Sequence, residues 1–205
     1  MKEETARISR RWPVATGIAF LALFMVLNCL QTTGHATEVL LPAFGEGKIK
    51  VRLYTDYFCP PCRSMEPAVE PILIELVRDK VVNLTFADTP FYKHSALYVR
   101  YFLYTLNEKR DFKHALVARR ALIDAAVQKL DSADRLEAHL RAQGLSWKPF
   151  DPKPTFDMMA KQIKDDGIDA TPSCVIEIDG SRKKHVGAEE IAAALSQLRE
   201  KKPKK

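Results

Sequence analysis

The spacing of hydrophobic positions changes character along the chain, and each change marks an element. Between Lys48 and Thr55, apolar Ile49, Val51 and Leu53 alternate with polar neighbours, the two-residue period of a half-buried strand. From Pro60 the period lengthens. Met65, Val69, Ile72 and Leu76 recur at helical spacing to about Arg78, and Pro71, which has no amide to give the interior ladder, is expected to kink this helix. Val81 to Phe86 reads as a second strand. Strand, helix and strand of these lengths make a βαβ unit with a parallel pair and a right-handed connection.

From about Ser95 to Lys164 the pattern is helical throughout. Phe112, Leu116, Ile123, Val127 and Leu130 predict one buried stripe, and Asp131 or Ser132 can cap a following helix that bears Leu136 and Leu140 and ends at Gly144. After the breakers Pro152 and Pro154, Phe156, Met159 and Ile163 mark another helix, closed by Gly167. The chain then returns to strand over Ser173–Ile178, turns at Asp179-Gly180, and continues as a strand near Lys183 to Val186. A last helix carries Ile191, Leu195 and Leu198. The expected class is α/β: one domain over residues 37–200, with a helical insertion at about 95–164.

Residues 1–36 follow neither period. A basic stretch ending at Arg10 and Arg11 precedes an uncharged apolar run from Val14 to Leu30, and Gly34, His35 and Ala36 put small residues at the first and third places of a cleavage site. This is the layout of a signal peptide, with Thr37 beginning the mature chain. The competing reading is a membrane anchor through residues 14–30, a length at the lower limit for spanning a bilayer. Either reading places the body outside the cytoplasm, in the periplasm or an equivalent compartment.

The 205 residues are 46% hydrophobic and 28% charged, which excludes a disordered or collagen-like chain, and a body of this size buries a core without covalent staples. The net charge of +6 invites a nucleic-acid reading, but two basic ends account for it. Lys2, Arg7, Arg10 and Arg11 against Glu3 and Glu4 give +2, and Lys201, Lys202, Lys204 and Lys205 give +4, leaving residues 37–200 neutral. A neutral body offers little support for nucleic-acid binding, and the tail at 201–205 is expected to be a solvated terminus.

Loss of a signal would remove Cys29 and leave Cys59, Cys62 and Cys174. Cys59 and Cys62 flank Pro60-Pro61 directly after a strand and at the start of a helix, where unpaired amides and the positive end of the dipole favour a thiolate. A thiolate is the nucleophile of disulfide exchange, and the two-residue gap lets one sulfur reach the other. Spacing alone leaves two further readings: a structural disulfide, which would stabilise little across so short a loop, and a copper(I) site completed by Cys174 and a histidine. A zinc site would want a second Cys-x-x-Cys or a close histidine pair, and the sequence has neither.

Together these residues resemble the thioredoxin superfamily, in particular its DsbA-like branch with a helical domain inserted in the thioredoxin fold. The matching pieces are Tyr54-Thr-Asp-Tyr-Phe-Cys-Pro-Pro-Cys-Arg63 after the first core strand and Gly167-Ile-Asp-Ala-Thr-Pro-Ser173 before the third. The pattern runs from about Lys48 to Leu198. The resemblance implies a thiol-disulfide oxidoreductase with Cys59 as the exposed nucleophile and Cys62 as the buried resolving thiol. It also implies that Pro172 is a cis-proline facing them and that Thr171 presents backbone groups to a substrate strand. Cys174 falls where the family has an apolar core residue and is expected to be a buried small hydrophobe. The implied partners are protein substrates bearing thiols or disulfides and a redox partner, membrane-bound or soluble, with no metal or organic cofactor. A monomer is expected, because residues 37–47 are too few to form the dimerisation domain of the V-shaped isomerases.

Two departures bear on the direction of the chemistry. Many relatives hold a buried acid six residues before the nucleophile, and here that position is Leu53. Asp56 and Asp88 lie near strand ends, where either could substitute for that acid, but each is expected to be a solvated loop carboxylate. Pro60-Pro61 removes two amide donors from the helix start, which disfavours the Cys59 thiolate and shifts the pair towards reductant. The helical insertion points, by family analogy, to an oxidase. Tyr54, Tyr57, Phe58, Pro90, Phe91 and Tyr92 are read either as an apolar rim for unfolded clients or as core and edge packing.

Overall fold

The computed structural model describes residues 39–201; the expected signal or anchor and the tail beyond Lys201 lie outside the described residues. Five strands form one mixed sheet: β1 (Ala43–Phe44), β2 (Ile49–Thr55), β3 (Val82–Asp88), β4 (Ser173–Ile178) and β5 (Ser181–Val186), in the order β1-β3-β2-β4-β5. β2 and β3 run parallel, from Ile49 beside Val82 to Thr55 beside Asp88, so their connection must cross over the sheet. That crossover is α1 (Pro60–Arg78), which continues through Pro67 and Pro71 as one helix. The other pairs are antiparallel, β4 on β2 with Leu53 opposite Cys174.

Four helices fill the segment between β3 and β4: α2 (Ser95–Glu108), α3 (Phe112–Val127), α4 (Ala133–Ala142) and α5 (Lys153–Asp165). After β5 come α6 (Ala188–Gln197) and a 3₁₀ turn over Leu198–Lys201, so Leu198 packs from that turn rather than from the helix. No helix among the described residues is long and apolar enough to cross a membrane.

Side chains alternate across the sheet, and this parity assigns the layers. Val51 and Leu53 enter the main core with Phe86 and Cys174, where they meet Val69 and Leu73 of α1, Phe102 of α2, Leu122 of α3 and Ile191 of α6. Tyr54, Ala87 and Val175 face the opposite way and are covered by Ile168 and by Ile163 of α5.

Of the predicted stripe, Leu116 alone lies on the buried face of α3. That face consists of Ala115, Leu116, Ala118, Arg119, Ala121, Leu122, Ala125 and Ala126, while Ile123 is half-buried and Val127 is 59% exposed. Alanine adds little to a hydrophobic period, so the bulkier Ile123 and Val127 pull the expectation round to the wrong side. Leu130 lies beyond the helix, its amide bonded to the Ala125 carbonyl at 3.1 Å. At the end of α4, Gly144 adopts φ +71°, and the Leu145 amide turns back to the Leu140 carbonyl. β1, two residues long, is too short to show a period in the sequence.

Candidate functional site

β2 delivers the chain to Cys59 and Cys62 through a tight turn. The Asp56 carbonyl accepts from the Cys59 amide at 3.1 Å, and the Asp56 carboxylate accepts from the Phe58 amide at 2.8 Å. Cys59 is the N-cap of α1 in an extended conformation, and its Sγ accepts from the Cys62 amide at 3.4 Å. Pro60 and Pro61 occupy the first helical positions, so Cys62 is the first residue after the cap with an N–H to give.

Cys59 Sγ and Cys62 Sγ stand 2.8 Å apart as free thiols. The exposed nucleophile implied by the resemblance is not what the structure holds: Cys59 is 2% exposed, as is Cys62. Its sulfur folds over the first turn of α1 and donates to the Thr171 carbonyl at 3.3 Å. Burial, and then the hydrogen bond with Cys59, push the Cys62 thiol up to about 12, against the Asp56 backbone and the Thr171 hydroxyl, which favour its thiolate.

The Thr171–Pro172 bond is cis, with Pro172 buried and Thr171 half-buried. Cys59, Cys62 and Thr171 are therefore brought together, although more than 100 residues separate the pair from the loop. That loop is pinned at both ends. Asp166, just after α5, accepts from Arg52 Nε at 2.6 Å, Arg52 Nη2 at 3.1 Å and the Tyr54 hydroxyl at 2.6 Å. Beyond the cis bond, the Gly187 amide bonds to the Pro172 carbonyl at 3.0 Å.

Asp56 and Asp88 are not solvated: they are 2% and 1% exposed. Besides Phe58, the Asp56 carboxylate accepts from the Phe91 amide at 3.0 Å and from Ser95 Oγ at 2.8 Å, which joins the turn before Cys59 to the start of α2. Asp88 accepts from the Tyr57 hydroxyl and from Arg119 Nη1, each at 2.9 Å. Arg119 reaches in from α3 and also bonds Thr55 Oγ1 at 3.0 Å and Glu66 Oε1 of α1 at 2.6 Å, with its guanidinium 4.3 Å from the centre of the Phe86 ring. Burial works against the Arg119 charge, and Glu66 and Asp88 outweigh it, so the guanidinium is held above its ordinary value. Burial also raises the Asp88 carboxyl, with Arg119 opposing.

A narrow cleft is lined by Thr55, Cys62, Glu66 and Arg119, so the Cys62 thiol borders this polar floor. Sequence reasoning did not single out Glu66 or Arg119. The available signal was an arginine set among the small residues Ala115, Ala118 and Ala126 at helical spacing, where a charge needs a buried partner.

The aromatic set divides. Tyr54 and Tyr57 are core residues, Phe58 is half-buried edge-on to Tyr98 at 4.7 Å, and Pro90, Phe91 and Tyr92 are exposed. Cys174 is fully buried, and burial pushes its thiol up to about 12. It does not join the pair: among the described residues no group of three or more His, Cys, Asp or Glu side chains is placed to hold a metal ion.

A family model described as thioredoxin matches residues 44–197, and the chain belongs to that family. Its four helices between the βαβ unit and the closing hairpin form the helical insertion expected from the sequence. No curated protein sequence matches the chain. Among solved structures, the fold is similar to a periplasmic thioredoxin-like protein from Salmonella enterica serovar Typhimurium, 22% identical over 80% of this chain and 92% of that one, with a TM-score of 0.59. It is similar to the catalytic domain of Proteus mirabilis ScsC, 19% identical over 87% and 97% of the two chains, with a TM-score of 0.60. It is also similar to alpha-DsbA1 of Wolbachia pipientis, 16% identical over 78% and 92%, with a TM-score of 0.59.

Proposed function

We propose that this protein is an extracytoplasmic thiol-disulfide oxidoreductase acting on protein substrates, with Cys59 as nucleophile and Cys62 as resolving thiol. The observation that carries the reading is the pair of free sulfurs 2.8 Å apart at the start of α1, with Cys59 Sγ against the Thr171 carbonyl. In the reducing direction the Cys59 thiolate attacks one sulfur of a substrate disulfide, forming a mixed disulfide and releasing the other sulfur as a thiolate, which takes up a proton. Cys62 gives up its proton, attacks Cys59 Sγ and expels the second substrate thiolate. The substrate gains two electrons and two protons, and Cys59–Cys62 becomes the disulfide. Oxidation of a substrate dithiol is the reverse.

Thr171 supports this role through its backbone. An extended substrate strand pairing with the edge at Thr171–Pro172 would take over the carbonyl that Cys59 now holds and free the sulfur for attack. The direction supported best is reduction, because a single first-turn amide, that of Cys62, bonds Cys59 Sγ. A potential nearer the thioredoxin end, about −270 mV, than the DsbA end, about −120 mV, is expected. A redox partner must then return electrons to the pair. The signal-like residues 1–36 and the periplasmic description of the Salmonella structure support an extracytoplasmic site of action.

Insulin reduction and refolding of a reduced secreted protein test the proposal. Turnover is expected in at least one assay and is lost in Cys59→Ser; a wild-type protein inactive in both would overturn it.

A further inference from the structure

A groove of about 410 Å³ runs between α1 and α3 beside the redox pair. Cys59, Arg63, Pro67 and Pro71 follow one another at four-residue spacing and form one ridge of α1. Beyond Cys59, the ridge becomes one wall of the groove, and Ile123 and Val127 of α3 stand opposite. The wall therefore leads away from the nucleophile one helical turn at a time.

Two features of this wall bear on what the groove could hold. Pro67 and Pro71 have no N–H, so the carbonyls of Arg63 and Pro67 lack the donor four residues on that an α-helix normally provides. Those two acceptors lie about 6 Å apart along the helix. Alternate amides of an extended chain are spaced about 6.7 Å apart. The second feature is charge. Glu66 is paired with Arg119, Glu70 with Arg120, and Asp124 with Gln128 and His139, whereas the Arg63 guanidinium makes no hydrogen bond or ion pair among the described residues. At the end of the groove nearest Cys59 the uncompensated charge is therefore positive, while Asp124, whose partners are the neutral Gln128 and a histidine charged only when protonated, lies further along.

We infer that the groove docks an extended polypeptide segment of the disulfide-exchange partner, with a carboxylate beside its reactive cysteine and apolar side chains further along. This rests on the redox reading given above and adds the class of segment the site selects. Arg63 meets the carboxylate, the Arg63 and Pro67 carbonyls accept alternate amides, and Ile123 and Val127 take the apolar side chains. The wall from Arg63 to Pro71 is about 12 Å long, enough for about four extended residues.

Fluorescence anisotropy with a labelled decapeptide tests this without redox chemistry. The probe is apolar, with one glutamate next to a serine in place of the reactive cysteine; the control has lysine for the glutamate. The wild-type protein is expected to bind the glutamate peptide at least tenfold more tightly than the lysine peptide, and Arg63→Glu to reverse that order. Val127→Asp, at a position 59% exposed, should weaken binding at least tenfold with the thermal melt unchanged. Pro67→Ala, which restores an amide to the Arg63 carbonyl, should weaken it at least threefold. Equal binding of the two peptides by the wild type, or unchanged affinity in both Val127→Asp and Pro67→Ala, would overturn the inference. A protein that binds the peptide but turns over no disulfide would sink the oxidoreductase reading alone, and one that turns over disulfides without selecting between the peptides would sink the groove alone.

Discussion

Cys62 and Cys174 have similar surroundings by the crudest measures. They are 2% and 0% exposed, and burial pushes each thiol up to about 12. What separates them is the neighbour. Cys62 has a second sulfur at 2.8 Å, a helix start above it and a cleft leading to Glu66 and Arg119 below. Cys174 sits mid-strand opposite Leu53 within an apolar core. Burial alone makes a thiol inert, and the proposed reactivity of Cys62 rests on a partner sulfur at a helix start.

The largest expected effect tests that contrast directly. Cys59→Ala or Cys62→Ala should lower turnover in insulin reduction by at least about a hundredfold, because either removes a bond-making sulfur. Cys174→Ala should leave turnover within about twofold and cost about 1 kcal/mol in denaturant titration, the scale of a small core truncation. A turnover loss in Cys174→Ala comparable to that in Cys62→Ala would mean the third thiol takes part.

Next comes the polar floor, which only Cys62 possesses. Arg119→Met removes the one cation facing Asp88 and Glu66 within the cluster and leaves Asp88 buried beside Tyr57. Breaking a buried pair from one side costs about 3–5 kcal/mol, so urea unfolding should show a loss of that order. A loss below about 1 kcal/mol would mean that water or a rotated side chain replaces the guanidinium.

This cluster also marks where the sequence stops being legible. β2 and α1 could be read because Ile49, Val51 and Leu53 alternate and because Pro60 and Arg78 bracket a clean helical period; these local patterns also place Cys59 and Cys62 at a helix start. Thr171–Pro172 could be placed opposite them only through the resemblance. The burial of Asp56 and Asp88 depends on Ser95 and on Arg119, tens of residues away, and no local pattern announces such a partner. α3 departs from its predicted stripe for a related reason: its packing surface is mostly alanine, while the large residues Ile123 and Val127 face the groove.

The raised thiols give a smaller effect with a definite sign. Above pH 9 the unfolded chain loses each thiol proton, while the folded chain keeps it until about 12. The unfolded state then binds fewer protons, so stability falls as pH rises through that window, by about 1.4 kcal/mol per pH unit per thiol. At pH 10.5 the share of Cys174 is about 2 kcal/mol. Buried tyrosines such as Tyr57 act in the same direction, so the slope for wild type alone does not isolate the thiol. The difference does: stability of Cys174→Ala, followed by urea titration from pH 8.5 to 10.5, should decline less steeply than that of wild type. Parallel declines would show that the thiol ionises in the folded core.

The smallest effect concerns how reactive the pair is made. An N-cap side chain can accept from the amides two and three residues on. Here the nearer of these belongs to Pro61 and does not exist, so Cys59 Sγ accepts from Cys62 alone. Pro61→Ala supplies the missing donor without adding charge or bulk. The extra hydrogen bond favours the thiolate, which occurs only in the reduced form, so that form gains about 1 kcal/mol and the potential rises by about 20 mV. Cys174 reactivity should stay unchanged in the same variant. Equilibration with glutathione measures the potential. If it stays put or moves to more negative values, the first-turn amides are not what sets the poise of this pair, and the argument for the reducing direction falls with them.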